Sequence, residues 1–398
     1  PCPAQVLSLS IEKLRAANAA ASDELDSLLD AAFDASGLGL LCLTGGEEFQ
    51  DEVRRIRREL LPIAPALSNL PEDSLADIAE RPGSRNVNGY SRGVDGHRSG
   101  FYFHPASDDP GASLPAGVEP EATFYAPNRW PDGPLPELRQ RARAAAPFLV
   151  EVGRELAFAL DRRLSSPTSP PSSASSAAAP AQIEPGALAA LVGEVNSCNH
   201  KCRLICYHEY EREEQRTEAK GMWAAPHKDT GLFTVLVPGV FFDSEGERLD
   251  ACPDPEVGLY VRDRQGAICR IAASSDAGEC LFFQLGEAMQ IVSGGFYHAT
   301  EHCVRGPPRC LAGYTRASLA VFFQPHAHED LPLPPGTAFQ DVASRAHDGM
   351  FRMFLLYQPE GARGLLSRPD LRCGRMWTRL LEIRVFPWRL RPRSIQKK

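Results

Sequence analysis

The sequence predicts a mainly β protein with flanking helices, its core an antiparallel sandwich or barrel. Three observations predict it. From Cys202 to Pro325, short segments rich in β-branched and aromatic residues follow closely on one another: RLICY, GLFTVLV, GLYVRD, AICRIA, ECLFFQLG, MQIVSGG and SLAVFFQP. Gly, Pro, Asp and Asn separate them, and no helical pattern alternates with them, which argues against a doubly wound parallel sheet. Ahead of this region, apolar residues recur at helical spacing instead.

Taken in order, Gly37 to Thr44 (GLGLLCLT) is a short apolar run ending at Gly45-Gly46, as expected of a buried strand feeding a helix. In that helix Phe49, Val53, Ile56 and Leu60 fall on one face of a segment otherwise rich in Arg and Glu. Residues 81–136 are rich in Gly, Pro, Ser, Asp and Asn and read as long loops with short strands. A second helix is expected from about Leu138 to Leu164, where Phe148, Val152, Leu156 and Leu160 repeat every four residues. Residues 165–181 (SSPTSPPSSASSAAAPA) are low-complexity and cannot pack a core, so they form a disordered linker or loop insertion. Helical patterning resumes from Ala187 to Val195, which favours an expanded loop between two helices over a domain boundary.

The expected organisation is thus a helical and loop region at 1–164 packed on the core, a loop at 165–181, the β-rich core at 182–325, and a C-terminal extension at 326–398. From Arg375 to Lys398 that extension carries eight Arg or Lys and one Glu, with Trp377, Phe386 and Trp388 between them. It reads as a solvated terminal helix and a frayed tail.

Composition bounds the partners. The 398 residues are 43% hydrophobic and 24% charged, enough to bury a sizeable core. Acidic residues outnumber basic ones by 51 to 43, for a net charge of −8, which argues against binding nucleic acid over the whole surface; only a local basic patch could do that, and no nucleic-acid partner is expected. The longest mostly apolar run, Leu232 to Phe242, is 11 residues long and contains Pro238 and Gly239. A bilayer-spanning helix needs about 20 apolar residues, so no membrane partner is expected either. No basic region followed by an apolar stretch opens the chain, so no signal peptide is expected. Eleven cysteines, an odd number spread thinly, do not resemble a secreted disulfide framework. The expectation is a reduced, cytoplasmic monomer.

Several catalytic motifs are absent. The sequence has no GxSxG, no GK dipeptide and no CxxC pair. GLGLLC carries Cys42 where a dinucleotide fingerprint needs its third glycine. Cys198, Cys202 and Cys206 stand four apart, a loose likeness to iron–sulfur ligation. Cys202 and Cys206 bracket a predicted strand, however, where buried cysteine usually acts as a small apolar residue.

The informative segment runs from Ala225 to Thr234 (APHKDTGLFT). On a strand, residues i and i+2 point the same way, so His227 and Asp229 can offer an imidazole nitrogen and a carboxylate oxygen to one point. That is two thirds of the facial triad that binds non-haem Fe(II). An isolated HxD is by default a surface pair, and a third ligand must come from a distant strand. His298 and His302, within Gly294 to Val304, are both candidates. Downstream, Arg316 lies inside an apolar strand and needs an anionic partner there. A carboxylate-bearing cosubstrate would provide one, and Ser318, on the same face, can donate its hydroxyl to it.

In this order, these residues resemble the 2-oxoglutarate- and Fe(II)-dependent oxygenases, in the branch that includes isopenicillin N synthase. That family shows HxD, then H-x-V, then R-x-S; here they are His227/Asp229, His302-Cys303-Val304 and Arg316/Ser318. Thr234 matches the Thr after the family's HxD. Gly258-Leu259-Tyr260-Val261 resembles its GLQV strand, and the stretch from Phe282 to Gly295 resembles its NIGDMLQIMSNG. The resemblance covers roughly residues 35–325, with specific motifs in the last part only. It implies a double-stranded β-helix core, the jelly-roll or cupin-like arrangement. It implies His227, Asp229 and His302 as iron ligands, His302 rather than His298 because only His302 has the H-x-V context.

The resemblance further implies that Arg316, Ser318 and Tyr207 bind 2-oxoglutarate, and that Phe322, with Phe233, lines the substrate pocket. The cofactors implied are Fe(II), 2-oxoglutarate and ascorbate; the partners are a small molecule and dioxygen. The reaction would be hydroxylation or desaturation of a C–H bond with release of succinate and CO2. Two departures stand out. Ile205 replaces an amide donor in Arg203-Leu204-Ile205-Cys206-Tyr207, and Asp243 to Pro255 forms an extra loop between Asp229 and His302. Ile205 keeps open an iron oxidase independent of 2-oxoglutarate, and a non-catalytic binding protein is the alternative of another class.

Overall fold

The computed structural model describes residues 3–4, 6–19, 22–34, 36–80, 88–92, 97–114, 116, 125–166, 183–195, 199–271, 279–326 and 331. Most of the low-complexity segment, Cys198, His328 to Asp330, His347 and the basic tail lie outside the described residues.

The chain begins with strands β1 (Pro3–Ala4) and β2 (Leu7–Ser10) and helices α1 (Ile11–Ala19) and α2 (Asp23–Phe33). Strand β3 (Leu40–Thr44) then feeds α3 (Glu47–Glu59), as the apolar run and the Phe49/Val53/Ile56 stripe predict. Short helices α4 (Ile63–Ser68) and α5 (Glu72–Asp77) lead to β4 (Gly89–Arg92) and β5 (Arg98–Phe103). The long helix α6 (Pro136–Ser165) and α7 (Ala187–Val192) follow, on either side of the low-complexity segment in sequence. The rest is β6 (Lys201–Tyr207), α8 (Glu213–Glu218), β7 (Met222–His227), β8 (Phe233–Asp243), β9 (Arg248–Leu249), β10 (Gly258–Arg262), β11 (Ile268–Ile271), β12 (Leu281–Leu285), α9 (Glu287–Val292), β13 (His302–Arg305) and β14 (Tyr314–Phe323).

The strands form two sheets. The smaller has the order β1-β11-β10-β13-β7. The larger has the order β2-β3-β12-β8-β14-β6-β5-β4, with β9 folded back on β8. Alternation along each strand shows how the layers stack. On β14, Ala317, Leu319, Val321 and Phe323 join the core beneath the helices, which also holds Phe49, Leu149, Leu156 and Leu160. Tyr314 and Ala320 on the same strand join a second apolar cluster with Trp223, Leu259 and Val304 from the smaller sheet. The larger sheet is therefore covered on both faces, by helices outside and by the smaller sheet inside. This explains why β12 reads LFFQL rather than as an apolar–polar alternation.

Three features differ from the sequence reading. MQIVSGG is not a strand: Met289 to Val292 belong to α9, stopped at Gly294 and Gly295 with φ of 63° and 81°. A short, wholly buried apolar run has no periodicity that separates strand from helix. The sheets are not purely antiparallel, because β1 pairs with β11 and β2 with β3 in parallel. Finally, β2 to β5, from the helical and loop region, extend the larger sheet at both of its ends.

Candidate metal centre

His227 is the last residue of β7 and His302 the first of β13, and the two pair across the ladder. Their ring centroids lie 4.2 Å apart. Asp229, two residues beyond β7, projects its Oδ1 to 3.9 Å from each Nε2. One ligand atom from each of the three falls within 4.8 Å of the others, the sole such group of metal-binding side chains among the described residues. His298 is not part of it. Cys202 and Cys206 are buried thiols outside any disulfide, on the helix-facing side of β6, and burial pushes the Cys206 thiol up to about 12.

Neighbouring groups hold each of the three side chains in place. His227 Nδ1 donates to the Ala225 carbonyl at 2.8 Å, leaving Nε2 to face Asp229. His302 Nδ1 lies 3.2 Å from the Thr300 carbonyl and also touches the Gln284 side-chain amide. Thr234 donates its hydroxyl to Asp229 Oδ2 at 2.5 Å, leaving Oδ1 to face the imidazoles. Thr234 and Gln284 are themselves paired across β8 and β12, so the two supports share one rigid platform.

The turn carrying Asp229 is pressed against the end of β12. Glu287 N–H donates to the Asp229 carbonyl at 2.8 Å. A Cβ on Gly286 would stand 2.2 Å from the Gly231 carbonyl oxygen, so only glycine permits this approach.

Away from the triad the cavity runs between the sheets toward Arg316. Its volume is about 70 Å³, and its lining includes His227, Asp229, His302, Arg316, Ser318, Tyr207 and Phe322. Arg316 sits above a bulge: Ala317 pairs with Val240 but Leu319 with Val237, so Pro238 and Gly239 share one place opposite β14. A Cβ on Gly239 would lie 2.5 Å from Arg316 Nε, so the glycine makes room for the guanidinium. Burial pushes the Arg316 pKa down, opposed by the Tyr207 hydroxyl that accepts its hydrogen bond. Its Cζ lies 5.2 Å from the Tyr207 ring centre. No carboxylate among the described residues forms an ion pair with it.

Seven of the eight site residues expected from sequence thus meet in one cavity. Phe233 does not. It is fully buried beneath the helices, stacked on Phe323 at 4.4 Å. Its neighbour Thr234 faces Asp229, and adjacent strand residues face opposite sides, so Phe233 must turn away. Two further cavity residues, Arg98 and Arg203, have no role in the sequence reading. Arg98 opens β5, one of the short strands in a stretch that reads as long loops with short strands, and no motif marks it.

The donor set fits a divalent iron: two imidazole nitrogens and one carboxylate oxygen converging at an accessible cavity. No family model matches the sequence, and no curated protein is significantly similar to it. Solved structures of the same fold are similar to it at low identity. A 2OG-Fe(II) oxygenase family protein from Caulobacter crescentus aligns with a TM-score of 0.60 at 18% identity, covering 95% of this chain and 99% of its own. A full-length Neurospora crassa protein in complex with alpha-KG and thymine aligns at 0.57 and 15%, covering 95% and 97%. A rice dioxygenase for auxin oxidation aligns at 0.50 and 17%, covering 94% and 99%. The chain has the jelly-roll fold of the 2-oxoglutarate–Fe(II) oxygenases with flanking helices. No helix among the described residues is long and apolar enough to cross a membrane.

Proposed function

We propose that this protein is an Fe(II)- and 2-oxoglutarate-dependent oxygenase that hydroxylates or desaturates a C–H bond of a small organic molecule. One observation carries the reading. A two-histidine, one-carboxylate triad and a buried guanidinium without a carboxylate partner among the described residues occupy the same cavity. Iron at the triad would supply dioxygen activation, coupled to conversion of 2-oxoglutarate to succinate and CO2.

The chain's own residues do the rest. His227, Asp229 and His302 hold the cation, and Thr234, Gln284 and the Ala225 carbonyl fix the faces they present. Arg316, Ser318 and Tyr207 take the distal carboxylate of the cosubstrate, whose charge restores what burial removes from the guanidinium. Leu236, Leu259, Val304 and Phe322 keep water from the space between. Ascorbate would serve to keep the iron reduced, and a cytoplasmic monomer is the assumed setting.

Ile205 favours a second reading. It lines the cavity beside Ser318 and offers no side-chain hydrogen bond, so the cosubstrate has one fewer anchor. An iron oxidase independent of 2-oxoglutarate would fit this.

The deciding experiment is anaerobic addition of Fe(II) and 2-oxoglutarate. A weak visible charge-transfer band, absent in His227→Ala, and succinate release with a substrate panel are expected. Oxygen uptake indifferent to 2-oxoglutarate would support the second reading. Failure to bind iron would leave a non-catalytic binding protein.

A further inference from the structure

Three arginines, not one, line the cavity: Arg98 on β5, Arg203 on β6 and Arg316 on β14. Strand register explains their convergence. Arg98 pairs with Tyr207, and Tyr207 with Arg316, so these three form one row across the larger sheet. Arg203 pairs with Tyr102 on one side and Ala320 on the other. Ala320 is two residues from Phe322, whose partner Thr234 supports Asp229. Arg203 therefore lies nearer the triad along the sheet than Arg316 does.

Its guanidinium is positioned. A Cβ on Gly100 would stand 2.6 Å from Arg203 Nε, so the side chain rests across a glycine, leaning toward Arg98. Its Cζ lies 4.8 Å from the Tyr102 ring centre.

Neither group is satisfied by the described residues. Arg98 Nε and Arg203 Nε are buried without a hydrogen-bond partner. Other arginines with a buried, unpartnered Nε make a bond through a terminal nitrogen: Arg57 to Glu279, Arg154 to Glu194, Arg162 to Asp26, Arg264 to the His298 carbonyl, and Arg270 to the Val257 carbonyl. The Arg98 and Arg203 side chains have no hydrogen bond or ion pair with any described residue. Asp229 is the one acidic residue of the lining among the described residues, and it belongs to the triad. A half-buried cation left unpaired is unfavourable unless a ligand completes it.

Resting on the oxygenase reading, in which the cosubstrate engages Arg316, we propose that the substrate bears a carboxylate held by Arg203 with Arg98 beside it. The planar fork of the guanidinium matches that group, and the apolar lining from Leu236, Leu259 and Phe322 suits a hydrocarbon or aromatic body running toward the triad.

Calorimetric titration of the full chain with Fe(II) and saturating 2-oxoglutarate tests this, using phenylacetate and hexanoate, each against its primary amide. The acids should bind about ten-fold or more tightly than the amides. Arg203→Leu should bring acid and amide within about two-fold, and Arg203→Lys should restore part of the preference. Equal binding of acids and amides by the wild-type chain overturns the proposal. So does a preference that survives in Arg203→Leu, or one lost in Arg316→Leu but not in Arg203→Leu, because the carboxylate then occupies the cosubstrate's place. The charge-transfer band, recorded on the same samples, scores the oxygenase reading separately. Acid preference without the band overturns the oxygenase reading, and with it the word substrate, while leaving a carboxylate site at Arg203; the band without acid preference overturns this proposal alone.

Discussion

The imidazoles of His227 and His302 face each other across the β7–β13 ladder, although strands β8 to β12 intervene in sequence. The ladder is irregular at this point, with register shifts between His302 and Arg305. The pair stands where the smaller sheet opens toward Asp229, so each ring keeps one nitrogen for the cavity and gives the other to a neighbouring carbonyl.

Removing either imidazole should therefore abolish tight iron binding and not merely weaken it, because two donors no longer form a face. In His302→Ala and His227→Ala, the charge-transfer band with 2-oxoglutarate should vanish while circular dichroism stays native. A band of normal intensity in His302→Ala would remove His302 from the ligand set.

Arg316→Leu should weaken 2-oxoglutarate by about 1.5–3 kcal/mol, or roughly ten- to more than a hundred-fold, the usual worth of hydrogen bonds to a charged group. Iron affinity without cosubstrate should be unchanged. Parallel titrations of iron and 2-oxoglutarate check both, and an unchanged 2-oxoglutarate affinity would free Arg316 from this role.

Gly286→Ala touches no ligand but drives a methyl into the Gly231 carbonyl, 2.2 Å from the ideal Cβ. The Asp229 turn must shift, and the expected result is loss of iron affinity with secondary structure retained. Native iron affinity in this variant would mean that the turn relaxes at no expense to the triad.

Outside the cavity lining, Arg163 on α6 and Asp30 on α2 form a fully buried ion pair, with Arg163 Nη2 2.6 Å from Asp30 Oδ2. The Tyr297 hydroxyl donates to the same carboxylate at 3.2 Å. Asp30→Ala strands a buried guanidinium and should destabilise the fold by about 3–5 kcal/mol. Urea denaturation checks this, and a change below about 1 kcal/mol would show that water reaches the site.

His200 is fully buried against Phe323, at 4.1 Å between ring centroids, and its Nδ1 accepts from Gln324 N–H at 3.2 Å. Burial disfavours the cation and pushes its pKa down from 6.5 to about 3. The unfolded chain then binds the proton first. The stabilisation is complete above the unfolded value and is lost as pH falls from 6.5 toward 3, at up to about 1.4 kcal/mol per unit. Urea midpoints between pH 7 and pH 5 should fall more steeply for the wild type than for His200→Gln; parallel slopes would assign the acid sensitivity elsewhere.

Much of the site is readable because its motifs are short. His227/Asp229 and Arg316/Ser318 are i, i+2 pairs whose common face follows from strand geometry alone. Helices α3 and α6 are readable from apolar residues spaced three or four apart over several turns. What fails does so for identifiable reasons. Helix α9 is one buried turn and a half without a polar face. The resemblance puts Phe233 in the pocket, although Thr234, next to it, already claims that side of the strand. The parallel pairing of β1 and β2 depends on strands far away in sequence. Arg203 opens the Arg203-to-Tyr207 segment whose Ile205 and Tyr207 the resemblance addresses, but no role follows for Arg203 itself, and Arg98 has no local motif; what sets both apart is which described residues fail to approach them.

By itself, then, the order of residues determined which donor atoms exist and which neighbours share a face, since these depend on backbone geometry over two to four positions. Only the tertiary structure decided that His302 rather than His298 meets the pair, that Phe233 leaves it, and that three guanidiniums share one cavity with a single carboxylate. Those outcomes depend on register between strands distant along the chain. Register is set by closing two sheets around a common apolar interior, not by any one segment.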